Sequence, residues 1–138
     1  MDSTKGARIR HRRKRVRVSH DGGKSWGKPV VMDAGTGNLG VSHGVFLSQG
    51  GKLWAFMGAF HDDFQRTHTR SYLLNENSGQ WEPQGVIIDN GFWPMQEPQR
   101  MEDGNWIMAG FRVAAGFGQS TIRRRWRLAK GTTSASGS

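Results

Sequence analysis

Apolar and polar positions alternate with the two-residue period of a β-strand along most of this chain, in short runs cut by glycine turns. In Arg15-Val16-Arg17-Val18 both valines fall on one face. The turn Asp21-Gly22-Gly23 follows, then Trp26 and the run Val30-Val31-Met32, which together predict a hairpin. A glycine-rich connection over residues 34–40 leads to Gly44-Val45-Phe46-Leu47, the turn Gln49-Gly50-Gly51, and Leu53-Trp54-Ala55-Phe56-Met57. Residues 61–68 read as a polar loop before Ser71-Tyr72-Leu73-Leu74. The turn Asn77-Ser78-Gly79 separates that run from Trp81 and Gly85-Val86-Ile87-Ile88. Residues 97–101, the turn Glu102-Asp103-Gly104 and Trp106-Ile107-Met108-Ala109 predict another hairpin, and 120–128 a further strand. No segment sustains a 3.6-residue apolar stripe, so the expected class is all-β. The expected core comprises Val16, Val18, Phe46, Leu53, Trp54, Tyr72, Leu73, Val86, Ile87 and Trp106.

The pattern also repeats. Trp26 and Trp81 each follow a polar turn and precede a β-branched run, 55 residues apart. Trp54 and Trp106 each follow a glycine turn inside a hairpin, 52 residues apart. A spacing of about fifty residues with four short strands inside it is the mark of a propeller blade. On that register the chain enters one blade at its third strand, completes a second across 41–89 and starts a third near Phe92.

Charge changes the picture less than its total suggests. The formal net charge is +9, but residues 1–18 hold eight Lys and Arg against one acid, and residues 119–138 hold five against none. The body, 19–118, has seven bases and ten acids. A nucleic-acid binder carries its charge on a folded face with aromatics interleaved, so nucleic acid is not the expected partner. Cys is absent, which removes disulfides and thiol chemistry. No apolar stretch is long enough for a membrane-spanning helix, so no membrane partner is expected. The basic start lacks the apolar core of a secretory signal, so the chain as it stands is expected to be cytoplasmic.

Ser19-His20-Asp21-Gly22-Gly23-Lys24-Ser25-Trp26 fits the pattern S-x-D-x-G-x-x-W at every specified position. Asp21 can accept backbone N–H groups of its own turn, Gly23 can take a positive φ, Ser19 can tie the start, and Trp26 can cover it. Asn75-Glu76-Asn77-Ser78-Gly79-Gln80-Trp81 is a degenerate copy, with Glu76 at the acid position. The octapeptide resembles the Asp-box repeat of sialidases and related β-propeller proteins, a family often secreted. There the box joins the third and fourth strands of a blade on the outside of the ring. The resemblance therefore makes Ser19, Asp21, Gly23 and Trp26 structural.

The stretch from Glu97-Pro98-Gln99 through Asp103-Gly104 to Arg112 is similar to the E-P…D-G…R segment of the same family. In that family the Glu faces the central cavity, and arginines clamp the substrate carboxylate bidentately. The resemblance thus implies a catalytic role for Glu97 and substrate binding for Arg112, with Gln99 beside them. His43 lies 54 residues before Glu97, at the matching inner-strand position, and His61 with Asp62 and Asp63 lies near the match of Arg112. His43, Asp62 and Asp63 join the expected substrate-binding set. The family's nucleophilic Tyr has no match, since the single Tyr, Tyr72, sits in an apolar run, and the further clamp arginines lack their motif. The His spacings fit no zinc pattern, so neither metal nor cofactor is expected.

The resemblance covers residues 15–117. It implies a fragment of a six-bladed sialidase-like propeller with about two to three antiparallel four-stranded blades over 15–130. A basic arm over 1–14 precedes it, and a flexible tail over 131–138 follows. The implied function is that of a glycoside-hydrolase-like fragment, inactive on its own, taking a glycan or sialic-acid-like carboxylate and self-associating through exposed blade faces. A non-catalytic module binding carbohydrate or protein, and a basic-tailed binder of nucleic acid or anionic polymer, are the alternatives.

Overall fold

The computed structural model describes residues 13–62 and 65–113, together with the strand backbones of 119–129 and 132–136. The described residues form an all-β structure of antiparallel sheets. Strands β1 (Lys14–Val16) and β2 (Val30–Asp33) pair as a two-stranded sheet around the turn at 19–26. Next comes a four-stranded meander of β3 (Leu39–Gln49), β4 (Lys52–His61), β5 (Gln65–Asn75) and β6 (Gln80–Ile88), paired in chain order. In the third sheet β7 (Phe92–Pro94) and β8 (Gln99–Arg100) both pair with β9 (Trp106–Val113). Beyond β9 this sheet continues through β10 (Gln119–Ala129) to β11 (Thr132–Ser136). Residues 132–136, read from composition as an unpacked tail, thus lie in a strand. The arm over 1–12 lies outside the described residues.

The central meander is buried on both faces, which explains why β4 reads Trp54-Ala55-Phe56-Met57 without a polar break. Side chains of alternate residues point to opposite faces. On one face Trp54 and Phe56 meet Phe92, Trp106 and Met108 of the third sheet. On the other, Ala55, Met57 and Tyr72 meet Met32 of β2.

The contact with the third sheet is also polar and directional. Thr69 Oγ1 donates to the Phe92 carbonyl at 2.6 Å, and Thr67 Oγ1 donates to that of Val113. The Trp93 indole N–H donates to the Ala59 carbonyl at 3.0 Å, and the Gly91 N–H to that of Thr67 at 2.8 Å. Gly58 lets this happen: a Cβ there would sit 2.7 Å from the Trp93 ring. Any side chain at 58 would push the sheets apart.

Three expectations need correction. The polar loop over 61–68 is much shorter, because β4 continues through His61 and β5 begins at Gln65. Residues 97–101 do not form one strand, since only Gln99 and Arg100 pair with β9. Pro94 and Pro98 carry no N–H to donate, and the N–H groups of Met95 and Gln96 both turn to the Ala109 carbonyl, at 3.0 and 3.3 Å. Finally, Phe46 and Val86 are 43% and 47% exposed rather than core. Phe46 faces the side covered by a sheet of two strands, and Val86 lines an open cavity. Trp54, Tyr72, Ile87 and Trp106 are buried as expected, and Val16, Leu53 and Leu73 pack half-buried against the core.

Candidate anion-binding site

The strand alternation of Arg66-Thr67-His68-Thr69-Arg70 divides its side chains by chemistry. The two threonines hold the third sheet, as described above. His68 and Arg70 point to the opposite side. At this end of the molecule a cavity of ≈ 640 Å³ opens, lined by His61 of β4, Arg66, His68 and Arg70 of β5, Asp89 after β6, and Arg112 of β9. Among the described residues, three arginines and two histidines thus line the space with one carboxylate, Asp89. Arg66 and Arg112 are exposed, Arg70 is half-buried, and His68 is buried.

Backbone and side-chain hydrogen bonds shape the entrance. Asp62, after β4, and Arg66, near the start of β5, both adopt left-handed conformations, with φ of 53° and 49°. Asn38 braces the turn: its amide donates to Asp62 Oδ1 at 2.5 Å, and its carbonyl oxygen accepts the Asp62 N–H at 3.0 Å. That orientation leaves Asn38 Oδ1 facing His61 Nδ1, 3.2 Å away. The His61 and His68 rings stack with centroids 5.5 Å apart and planes 25° apart. His68 Nδ1 lies 2.7 Å from the Arg66 carbonyl oxygen, and Arg70 Nη1 lies 3.4 Å from His68 Nε2. The Arg70 Nε is buried without a hydrogen-bond partner among the described residues.

The surroundings disfavour protonation of both imidazoles. Burial, then the positive field of Arg66, lowers the His61 pKa from its ordinary value, with His68 and Arg70 adding to the effect. Burial also lowers that of His68, against the hydrogen bond to the Arg66 carbonyl. A cavity lined by three arginines suits an oxyanion, because guanidinium offers paired N–H groups in the plane a carboxylate requires.

Comparison of the chain with protein-family models, curated proteins and solved structures gives no match.

The residues singled out from the sequence fall in different places. Arg112 lines the cavity. Glu97 does not; it is exposed in the irregular stretch between β7 and β8, and Gln99 opens β8, also exposed. His43 is exposed on β3, at a register shift, with Nε2 3.4 Å from Met95 Sδ and its ring edge-on to Trp93 at 5.7 Å. Asp62 is exposed and engaged with Asn38. Asp63 lies outside the described residues. Ser19, Asp21 and Gly23 form a locally hydrogen-bonded turn. Asp21 Oδ1 accepts the Ser19 hydroxyl and the Ser25 N–H, each at 2.8 Å, and Gly23 N–H donates to Ser19 Oγ at 2.8 Å. Trp26 lies against the turn, its ring Cζ2 3.8 Å from where a Gly23 Cβ would sit, yet it is 57% exposed; among the described residues its sheet consists of β1 and β2.

Sequence reasoning missed Arg66, His68, Arg70 and Asp89. Reading 61–68 as a loop hid the signal. The alternation Arg-Thr-His-Thr-Arg is itself a strand pattern, but with polar residues on both faces it lacks the apolar half on which strand recognition rests. Among the described residues, no group of three or more His, Asp and Glu could hold a metal ion.

Proposed function

We propose that this chain is part of a sialidase-like β-propeller that holds an anionic glycan by its carboxylate in the Arg66–Arg70–Arg112 cavity, and does not cleave it alone. The observation that carries this reading is that Arg66, Arg70 and Arg112 line one cavity with Asp89 as its carboxylate among the described residues. Two further features support it. A four-stranded meander packed face to face between two other sheets is the arrangement of neighbouring blades. The turn at 19–26 makes the hydrogen bonds that the Asp-box pattern requires.

The absence of cleavage follows from two side chains. Tyr72 is fully buried and donates to Asp33 Oδ2 at 2.6 Å; burial and that bond push its pKa far above the usual phenol value. A phenol so placed cannot serve as a nucleophile near neutral pH. Glu97, the carboxylate that the resemblance would make catalytic, lies outside the cavity.

Calorimetric titration of the full chain with free sialic acid tests the reading, beside a fluorogenic sialoside assay. Saturable binding that weakens at least about tenfold in Arg112→Ala is expected, the loss typical of one charge-assisted pair. No turnover is expected. Turnover that disappears in a folded Glu97→Gln variant would overturn the non-catalytic part, and absence of binding would overturn the whole.

A further inference from the structure

The hydrogen bonds around His68 determine which of its nitrogens carries the proton. The Arg66 carbonyl oxygen can only accept, so His68 Nδ1, 2.7 Å away, must donate. In the neutral ring the lone pair then resides on Nε2, and Nε2 is the atom that Arg70 Nη1 approaches at 3.4 Å. Arg70 can only donate, so this contact exists only while His68 is neutral. The same reasoning applies to His61, whose Nδ1 faces the carbonyl oxygen of Asn38.

We propose that an oxyanion enters this cavity together with a solvent proton that settles on His68 Nε2, turning that atom from an acceptor for Arg70 into a donor to the anion. A new N–H bond forms at Nε2, and the proton comes from hydronium or buffer acid. The Nε2–H then faces the Arg70 N–H, and the two donors separate unless an acceptor lies between them. The bound anion is that acceptor. It takes hydrogen bonds from His68 Nε2 and from Arg70 Nη1, the two atoms that face each other at 3.4 Å. One proton therefore converts a guanidinium engaged with a ring into a pair of donors that converge on a ligand. The inference rests on the reading of the cavity as an anion site and adds how that site is regulated.

The charges facing His68 set the direction. On its own strand, Arg66 and Arg70 oppose protonation. From β4 the stacked His61 is a second titratable ring, flanked by Asp62. Beyond β6, Asp89 favours protonation, and from β9 Arg112 adds a further positive charge at the cavity wall. Burial and then the arginines disfavour the protonated form of both rings. An anion cancels that field and raises the affinity of His68 for its proton. By linkage, the proton equally strengthens the anion.

Sulfate and free sialic acid are suitable probes, since neither changes charge between pH 5.5 and 7.5. Titration calorimetry on the full chain, in two buffers of different ionisation enthalpy, reads affinity and proton uptake together. Affinity is expected to rise as pH falls from 7.5, by up to about tenfold per pH unit where one whole proton is coupled. His68→Gln can still accept from Arg70 but cannot titrate, and its affinity should be flat across this range. Should that variant not fold, the His68 ring resonance of the wild-type chain, followed by NMR, must titrate at higher pH with sulfate than without. Binding with flat affinity and no proton uptake would overturn this inference and leave the anion site standing. No binding at any pH would overturn both, and coupling that persists in folded His68→Gln would take the proton away from His68.

Discussion

The turns at 19–26 and 75–81 occupy equivalent places in two hairpins, yet they hold their tryptophans in opposite ways. The first fits its consensus at every position, and its Trp26 is 57% exposed; the second is degenerate, and its Trp81 is 6% exposed. In the first, the Asp21 carboxylate and the Ser19 hydroxyl gather the turn's donors. In the second, Asn75 does so in place of the expected acid Glu76. Its Oδ1 accepts the N–H groups of Asn77 and Ser78 at 3.0 and 3.2 Å. Turn hydrogen bonding is thus local, and different residues achieve it. Burial of the closing ring is not local: Trp81 packs beside Met32, Tyr72 and Phe46 from three other strands, whereas Trp26 has a two-stranded sheet behind it.

The largest test of this contrast is Trp81→Ala. Removing a buried indole should cost about 3–5 kcal/mol, read as a shift of the midpoint in chemical denaturation. A cost near zero would mean that the ring is not held by the core. Asp21→Ala should lower the melting temperature by less, and in a pH-dependent manner. Hydrogen bonds from Ser25, then Ser19, lower the Asp21 pKa from 3.8 to about 2. A depressed carboxylate adds stability that is complete above the unfolded value and vanishes as pH falls through the folded one. The melting curves of wild type and Asp21→Ala should therefore differ at pH 5 and converge toward pH 2. A gap that is constant with pH would point to packing instead. Trp26→Ala should have the smallest effect, within about 0.5 kcal/mol, as for exposed positions generally. A loss as large as that of Trp81→Ala would show that this ring is covered.

Most of the strand framework was legible in the sequence, because each hairpin pairs alternating side chains with a glycine turn. The expectation of a complete sheet over 41–89 matches the meander from Leu39 to Ile88. Positions depending on distant partners were less legible. Phe46 and Val86 sit in strands as regular as those of Trp54 and Ile87, and only the extent of the covering sheet and the opening of the cavity separate them. The site was legible at one residue, Arg112. Arg70 and His68 share a strand, but the sequence does not show that β9 brings Arg112 to the same cavity, since that depends on how two sheets dock. Glu97 lies outside a strand because Pro94 and Pro98 on either side of it have no N–H to donate to a ladder, and pairing with β9 resumes only at Gln99.

The polar bonds that join the central sheet to its neighbour have a mechanical consequence. Two apolar faces in contact resist separation but not sliding, since dispersion contacts are much the same after a small displacement. Here Thr67, Thr69, Gly91 and Trp93 fasten the sheets at one end with bonds of defined direction, while the other end meets through Leu47, Trp54 and Trp106. Shear is blocked where the bonds lie, so relative motion of the sheets reduces to a pivot about that end. Arg70 belongs to one sheet and Arg112 to the other, and both line the cavity beside the pivot. The span between the two guanidinium carriers therefore changes least when the molecule flexes. Folding thus sets the backbone positions of the two arginines, while the exposed Arg112 side chain keeps its own rotamer freedom.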